Sequence, residues 1–164
     1  MISRPVDRWA GAAAVSAAVL GLANAAVSVY WASGGQELLN TIGGELERWG
    51  RERRPAVVAG LWAVAGLKLA VAAAAPILVG YGRARLPEWT RGRVPRALGW
   101  IAAIVLTLYG GVLTIVGVLV QTGVIAAGPE ANPTALAWHA YVWDPWFALW
   151  GAAFAIALWR SRRR

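Results

Sequence analysis

The sequence predicts an all-α polytopic membrane protein: a four-transmembrane-helix bundle, N-in and C-in, with a short amphipathic helix on its outer face. Three observations carry this. Of the 164 residues, 59% are hydrophobic and 15% charged, whereas about a quarter of a soluble domain is charged; the mean hydropathy is +0.52. The charges fall in clumps, separated by apolar stretches longer than the roughly 20 residues a helix needs to cross a bilayer. The arginines gather in alternate loops, as the orientation rule for membrane helices requires. The length suits one membrane domain over 1–164 and leaves no room for a second soluble one.

The first span is expected at about 9–31, after Arg4, Asp7 and Arg8, and is almost wholly Ala, Val, Gly and Leu. Ala23-Asn24-Ala25 looks like a signal-peptide cleavage site. The apolar run, however, exceeds the core of about 7–15 residues usual in a signal peptide, so an uncleaved helix is expected. In the outer loop, 32–54, helical periodicity puts Leu38, Leu39, Ile42, Leu46 and Trp49 on one face and most charges elsewhere. That pattern reads as a helix lying on the membrane surface or capping the bundle, with Gly43-Gly44 weakening it.

The second span is expected at about 55–80, the cytoplasmic loop at 81–96 and the third span at about 97–125. The fourth is ambiguous at its start. Asp144-Pro145-Trp146 reads as a helix start, with Asp as N-cap and Pro at the first helical position. A helix over 145–159 is only about 22 Å long, short for a hydrocarbon core of about 30 Å. The favoured reading is therefore a break at Pro145. Residues 126–144 then form an outer loop with a separate short helix over 133–143 at the interface; the alternative is one kinked helix starting near Asn132-Pro133-Thr134.

Orientation follows from the charges. Arg4 and Arg8, then Arg83, Arg85, Arg91, Arg93 and Arg96, then Arg160, Arg162, Arg163 and Arg164 share one side, expected to face the cytoplasm of a bacterial plasma membrane. Arg48, Arg51, Arg53 and Arg54 are balanced by Glu37, Glu45, Glu47 and Glu52 on the other side. Trp9, Trp31, Trp100, Trp143, Trp146 and Trp159 fall near the expected boundaries, where indole rings prefer the headgroup level. The formal charge of +8 thus reflects topology, and nucleic acid is not the expected partner. The bilayer is the expected partner, with anionic lipid a candidate at Arg160, Arg162, Arg163 and Arg164.

The absence of cysteine excludes disulfides, thiolate metal sites and thiol redox chemistry. No nucleophile elbow, phosphate loop or zinc signature is present. No catalytic residue, metal or cofactor is therefore assigned. Gly110-Gly111 suits close helix contact, and Gly34-Gly35 a tight turn.

One candidate polar site emerges from depth. Lys68 sits roughly 12 residues from either end of its span, about 18 Å from the inner boundary. An ionisable group so deep marks a functional site by default, although its stem can also snorkel. By the same arithmetic Asp144 lies about 22 Å up, Asn24 about 24 Å and Tyr109 about 18 Å. A Lys68–Asp144 ion pair, with hydrogen bonds from Asn24 and Tyr109, would make an outward-facing pocket. His139 lies just above, as a proton shuttle or an exposed interfacial residue.

The motifs Tyr30-Trp31-Ala32-Ser33-Gly34-Gly35, Leu67-Lys68-Leu69-Ala70, Leu108-Tyr109-Gly110-Gly111, Trp138-His139 and Trp143-Asp144-Pro145-Trp146-Phe147 occur in that order. Together they resemble a group of small actinobacterial membrane proteins that form a domain family of unknown function. The resemblance covers nearly the whole chain; it implies a four-helix membrane protein and no activity. Function is then expected to be non-enzymatic: an accessory subunit for a membrane protein partner, or a binder of a small or lipidic ligand. The alternatives are an oligomeric transporter or proton-linked permease component, and a small intramembrane enzyme using Lys68, His139 and Asp144 as acid–base groups.

Overall fold

The computed structural model describes residues 7–82, 85–129 and 131–161, apart from the side chain of Arg91. Arg4, Arg83, Arg162, Arg163 and Arg164 lie outside the described residues. The described residues are all-helical, without a strand, and include four helices long and apolar enough to cross a membrane.

Helix α1 (Arg8–Ala32) begins where the Asp7 carboxylate accepts from Trp9 N–H. It ends where Gly34, at φ 109°, turns the chain back so that Gly34 and Gly35 N–H reach the carbonyls of Trp31 and Tyr30. The expected tight turn is thus present, and it needs the left-handed backbone glycine allows. Helix α3 (Pro55–Val79) starts on Pro55, whose missing N–H costs nothing at that position. Helix α4 runs Arg93–Gln121 and is followed by a turn at Thr122-Gly123, earlier than the expected end near 125.

The cap between α1 and α3 is divided at Gly43-Gly44, both at positive φ. A 3-10 turn over Leu39–Thr41 precedes the break and helix α2 (Gly44–Arg51) follows it. Leu39 and Thr41 are buried under the cap, while α2 buries none of its residues. The arginines of α2 pair along its own surface, Arg48 with Glu45 and Arg51 with Glu47.

The fourth span corrects the expected break. Asn132 caps helix α5 (Pro133–Trp138), its Oδ1 accepting from Thr134 N–H at 2.9 Å. The chain then passes through a π-helical turn, His139–Trp143, directly into α6 (Asp144–Arg160). The whole segment Pro133–Arg160 is one 28-residue span, so residues 133–144 are not loop. Nor is Asp144 an N-cap: its backbone is helical and its side chain bonds elsewhere. The physical reason is Pro145, which lacks an N–H and crowds the carbonyl four residues back. A wider turn ahead of it accommodates that crowding without breaking the helix.

Side-chain contacts fix the arrangement. Ser28 meets Lys68, and a Cβ on Gly21 would touch Ala72, so α1 and α3 run antiparallel. Gly99 lies against Leu78, Phe154 and Leu158, and Gly117 against Ala140, so α4 is antiparallel to both α3 and α6. The starts of α1 and α4 and the ends of α3 and α6 therefore share one end of the bundle, and the cap closes the other. In cross-section the order is α3, α1, α5–α6, α4, with only slight contact between α3 and α4. Alanines at 14, 17, 72, 75, 103 and 157 let the backbones approach, and Trp150, Phe154 and Leu158 of α6 fill the centre. Small residues at helix contacts suit a bilayer, where packing rather than hydrophobicity drives association.

Trp143, one of the tryptophans expected near a boundary, is packed under the cap. It is 7% exposed, stacked on Trp146 and edge-on to Trp31, with its indole N–H on Thr41 Oγ1 at 3.0 Å.

Candidate functional site

Beneath the cap lies a cavity of about 120 Å³ lined by Asn24, Val27, Trp31, Ile42, Lys68, His139, Trp143 and Phe147. It gathers side chains from α1, α3, the cap, the π turn and α6. Three of the five residues expected at a polar site, Asn24, Lys68 and His139, share it. Asp144 stands behind His139, and Tyr109 is placed outside.

Helical spacing builds the α1 wall. Asn24, Ser28 and Trp31 recur at steps of four and three and so share a face; Asn24 and Ser28 are each 2% exposed. Ser28 Oγ accepts from Lys68 Nζ at 2.8 Å. The ammonium also lies 5.5 Å from the centre of the Phe147 ring, which attracts it through the negative face of its π system. Asn24 Oδ1 is buried without a hydrogen-bond donor.

The expected Lys68–Asp144 ion pair is not formed. Among the described residues the ion pairs are Arg48–Glu45, Arg51–Glu47, Arg54–Glu52 and His139–Asp144. Asp144 is 3% exposed and faces His139 Nδ1 at 3.3 Å. The π turn explains this choice, because winding of five residues per bond brings residues 139 and 144 one above the other. Depth arithmetic predicts the level of Asp144 but not its azimuth.

His139 is half-buried on the cavity wall rather than simply exposed at the interface. Its Nδ1 belongs to Asp144, and its ring also meets the Ile42 main chain of the cap. Tyr109 is 51% exposed and meets Phe147 edge-on at 5.7 Å; it contributes no hydrogen bond to the cavity lining.

Sequence reasoning missed Ser28 and Phe147. Ser28 carried a signal: it lies one turn above Asn24 in a largely apolar helix. Phe147 carried none, since an aromatic residue in a membrane span is ordinary. Thr41, Trp31 and Trp143 were also missed as parts of the site, because only folding brings the cap over the bundle.

Chemically, the cavity pairs one half-buried cation, held by a hydroxyl and an aromatic face, with one unanswered acceptor. Asn24 can present its NH2 instead by turning its amide. Groups that could ligate a metal are not clustered among the described residues.

The family model described as "Protein of unknown function (DUF3995)" matches residues 20–154, and the chain belongs to that family. The matched stretch contains every residue that lines the cavity. No curated protein and no solved structure matches the chain.

Proposed function

For this member of a family of unknown function, we propose a non-enzymatic role: binding a small anionic ligand in the cavity around Lys68, in a bacterial plasma membrane with both termini cytoplasmic. The observation that supports it is the ammonium of Lys68, inside a membrane span and in none of the ion pairs among the described residues. An uncompensated charge at such depth costs several kcal/mol, and an anion in the cavity offsets that cost. Asn24 Oδ1, buried and unanswered on the same wall, is a second group that a ligand or a water would satisfy. The volume of about 120 Å³ is far below the roughly 300–1,000 Å³ of pockets that enclose drug-sized molecules, so only a few heavy atoms fit inside.

Native mass spectrometry of protein released from its own membranes tests this. Wild type should carry an adduct that is absent from Lys68→Met and retained by Lys68→Arg, with all three eluting alike. Wild type free of any adduct, together with loss of folded protein for Lys68→Met, would mean that the lysine serves only the fold.

The His139–Asp144 contact favours a second reading, acid–base catalysis in the membrane, because a carboxylate on Nδ1 orients an imidazole for proton transfer. The two readings part at His139→Gln. A binder keeps its adduct unchanged in mass, whereas an enzyme accumulates the unconverted substrate.

A further inference from the structure

The cavity is partly open. Over the axial end lies the cap, fastened by Trp143 Nε1 to Thr41 Oγ1 at 3.0 Å, by Trp31 Nε1 to the Glu37 carbonyl at 2.8 Å and by Arg53 to the Ala32 carbonyl at 3.4 Å. Ile42 itself forms part of the cavity wall. On the lateral side, α3 and α4 touch little, and their contact at Leu78–Gly99 lies toward the opposite end from Lys68. Phe147 is the floor of that gap. It is half-buried, lines the cavity, lies under Lys68 of α3 and meets Tyr109 of α4 edge-on. The Phe147 ring thus reaches from Lys68 of α3 to Tyr109 of α4, which is half-exposed.

We propose, resting on the binding reading above, that the cavity is loaded sideways from the bilayer by a single-chain carboxylate amphiphile, its carboxylate on Lys68 and its chain over Phe147 in the gap between α3 and α4. Each part of that ligand answers a feature of the site. Among the described residues of the lining Lys68 is the one Lys or Arg, and the basic group beside it, His139, already faces the Asp144 carboxylate, which calls for a monoanion; a phosphate monoester brings a charge of about −1.5 to −2 and three acceptor oxygens. The cavity takes a head of a few atoms, so the remainder of the molecule has to lie outside it, in apolar surroundings. An apolar chain in the gap remains in hydrocarbon, while its carboxylate leaves the headgroup layer only because a half-buried ammonium awaits it.

The test uses the full chain in a neutral maltoside detergent, titrated with sodium acetate, octanoate, palmitate, hexadecanol and palmitoyl-lysophosphatidylglycerol. Palmitate should bind at least about 10-fold tighter than hexadecanol and than octanoate. Lys68→Met should erase the preference over hexadecanol. Asn24→Asp, which supplies Lys68 with an internal carboxylate, should erase it too, and serves where the methionine variant does not fold. A palmitate analogue with a photoreactive group in mid-chain should label segments 62–71 and 102–113. Equal affinity for acetate and palmitate, or labelling confined to 36–51, overturns the lateral amphiphile and leaves the anion site standing. Preference for the lysophospholipid overturns the carboxylate assignment alone. Failure of every probe to bind in a Lys68-dependent manner overturns the binding reading itself.

Discussion

At the scale of residues, the site is a set of polar groups whose needs are only partly met within the protein. Among the described residues Lys68 has a hydroxyl and a ring but no counter-charge, and Asn24 Oδ1 has no donor. A buried polar atom left unsatisfied costs about 1–3 kcal/mol. Asn24→Leu, which keeps the branched side-chain shape, removes the amide and turns its bulkier methyls into the cavity, should therefore stabilise the ligand-free protein by about 1 kcal/mol while weakening ligand retention. Thermal unfolding in detergent, read beside the native mass spectrum, checks both; a lower midpoint would show that the amide is satisfied in the folded protein. Lys68 and Asn24 were legible in the sequence because polar side chains are conspicuous in an apolar helix. The partners actually chosen were not, since Ser28 in place of Asp144 is a matter of which way each helix faces.

Elements show the same division. Adjacent Gly110 and Gly111 look equivalent in sequence, and both were expected to serve close helix contact. Only Gly110 does: a Cβ there would run into Ala148 N and Asp144 O, and lie 2.9 Å from the Phe147 carbonyl carbon, whereas one on Gly111 would meet nothing within 4 Å. Gly110→Ala should thus lower stability by about 1–3 kcal/mol or more, since main chain cannot give way as a side-chain tip can. Gly111→Ala should change it by less than about 0.5 kcal/mol. Equal melting midpoints for the two variants would refute the packing of α4 on α6. The cap offers a second check. Trp143→Phe removes the bond to Thr41 and should cost about 1 kcal/mol, with faster proteolysis between residues 33 and 54. An unchanged cleavage rate would mean that the cap is held by its other contacts. The fourth span was half legible: Asn132-Pro133 announced its true start, yet Asp144-Pro145 imitated a second one. The imitation fails because a helix flanked by others can widen by one π turn and keep its tertiary contacts.

For the whole molecule, the arginine distribution predicts cytoplasmic termini, and the lack of cysteine makes that directly testable. Glu45→Cys should react with a membrane-impermeant maleimide on intact cells, and Ser161→Cys only after permeabilisation; the reverse pattern would invert the orientation. Both positions are at opposite ends of the bundle, in α2 and just after α6. The class and the number of spans were legible along the chain. Hydropathy, charge and a rise of 1.5 Å per residue are properties of one helix at a time, so they can be read along the chain. Azimuth and neighbour were settled by folding alone: Lys68 turns to Ser28 and Phe147, Asp144 turns to His139, and Tyr109 stays outside. Helices apolar all round carry no stripe to point inward. Their rotation is therefore set by where alanine and glycine let backbones close and where Trp150, Phe154 and Leu158 must fit, and those contacts join residues far apart in the chain.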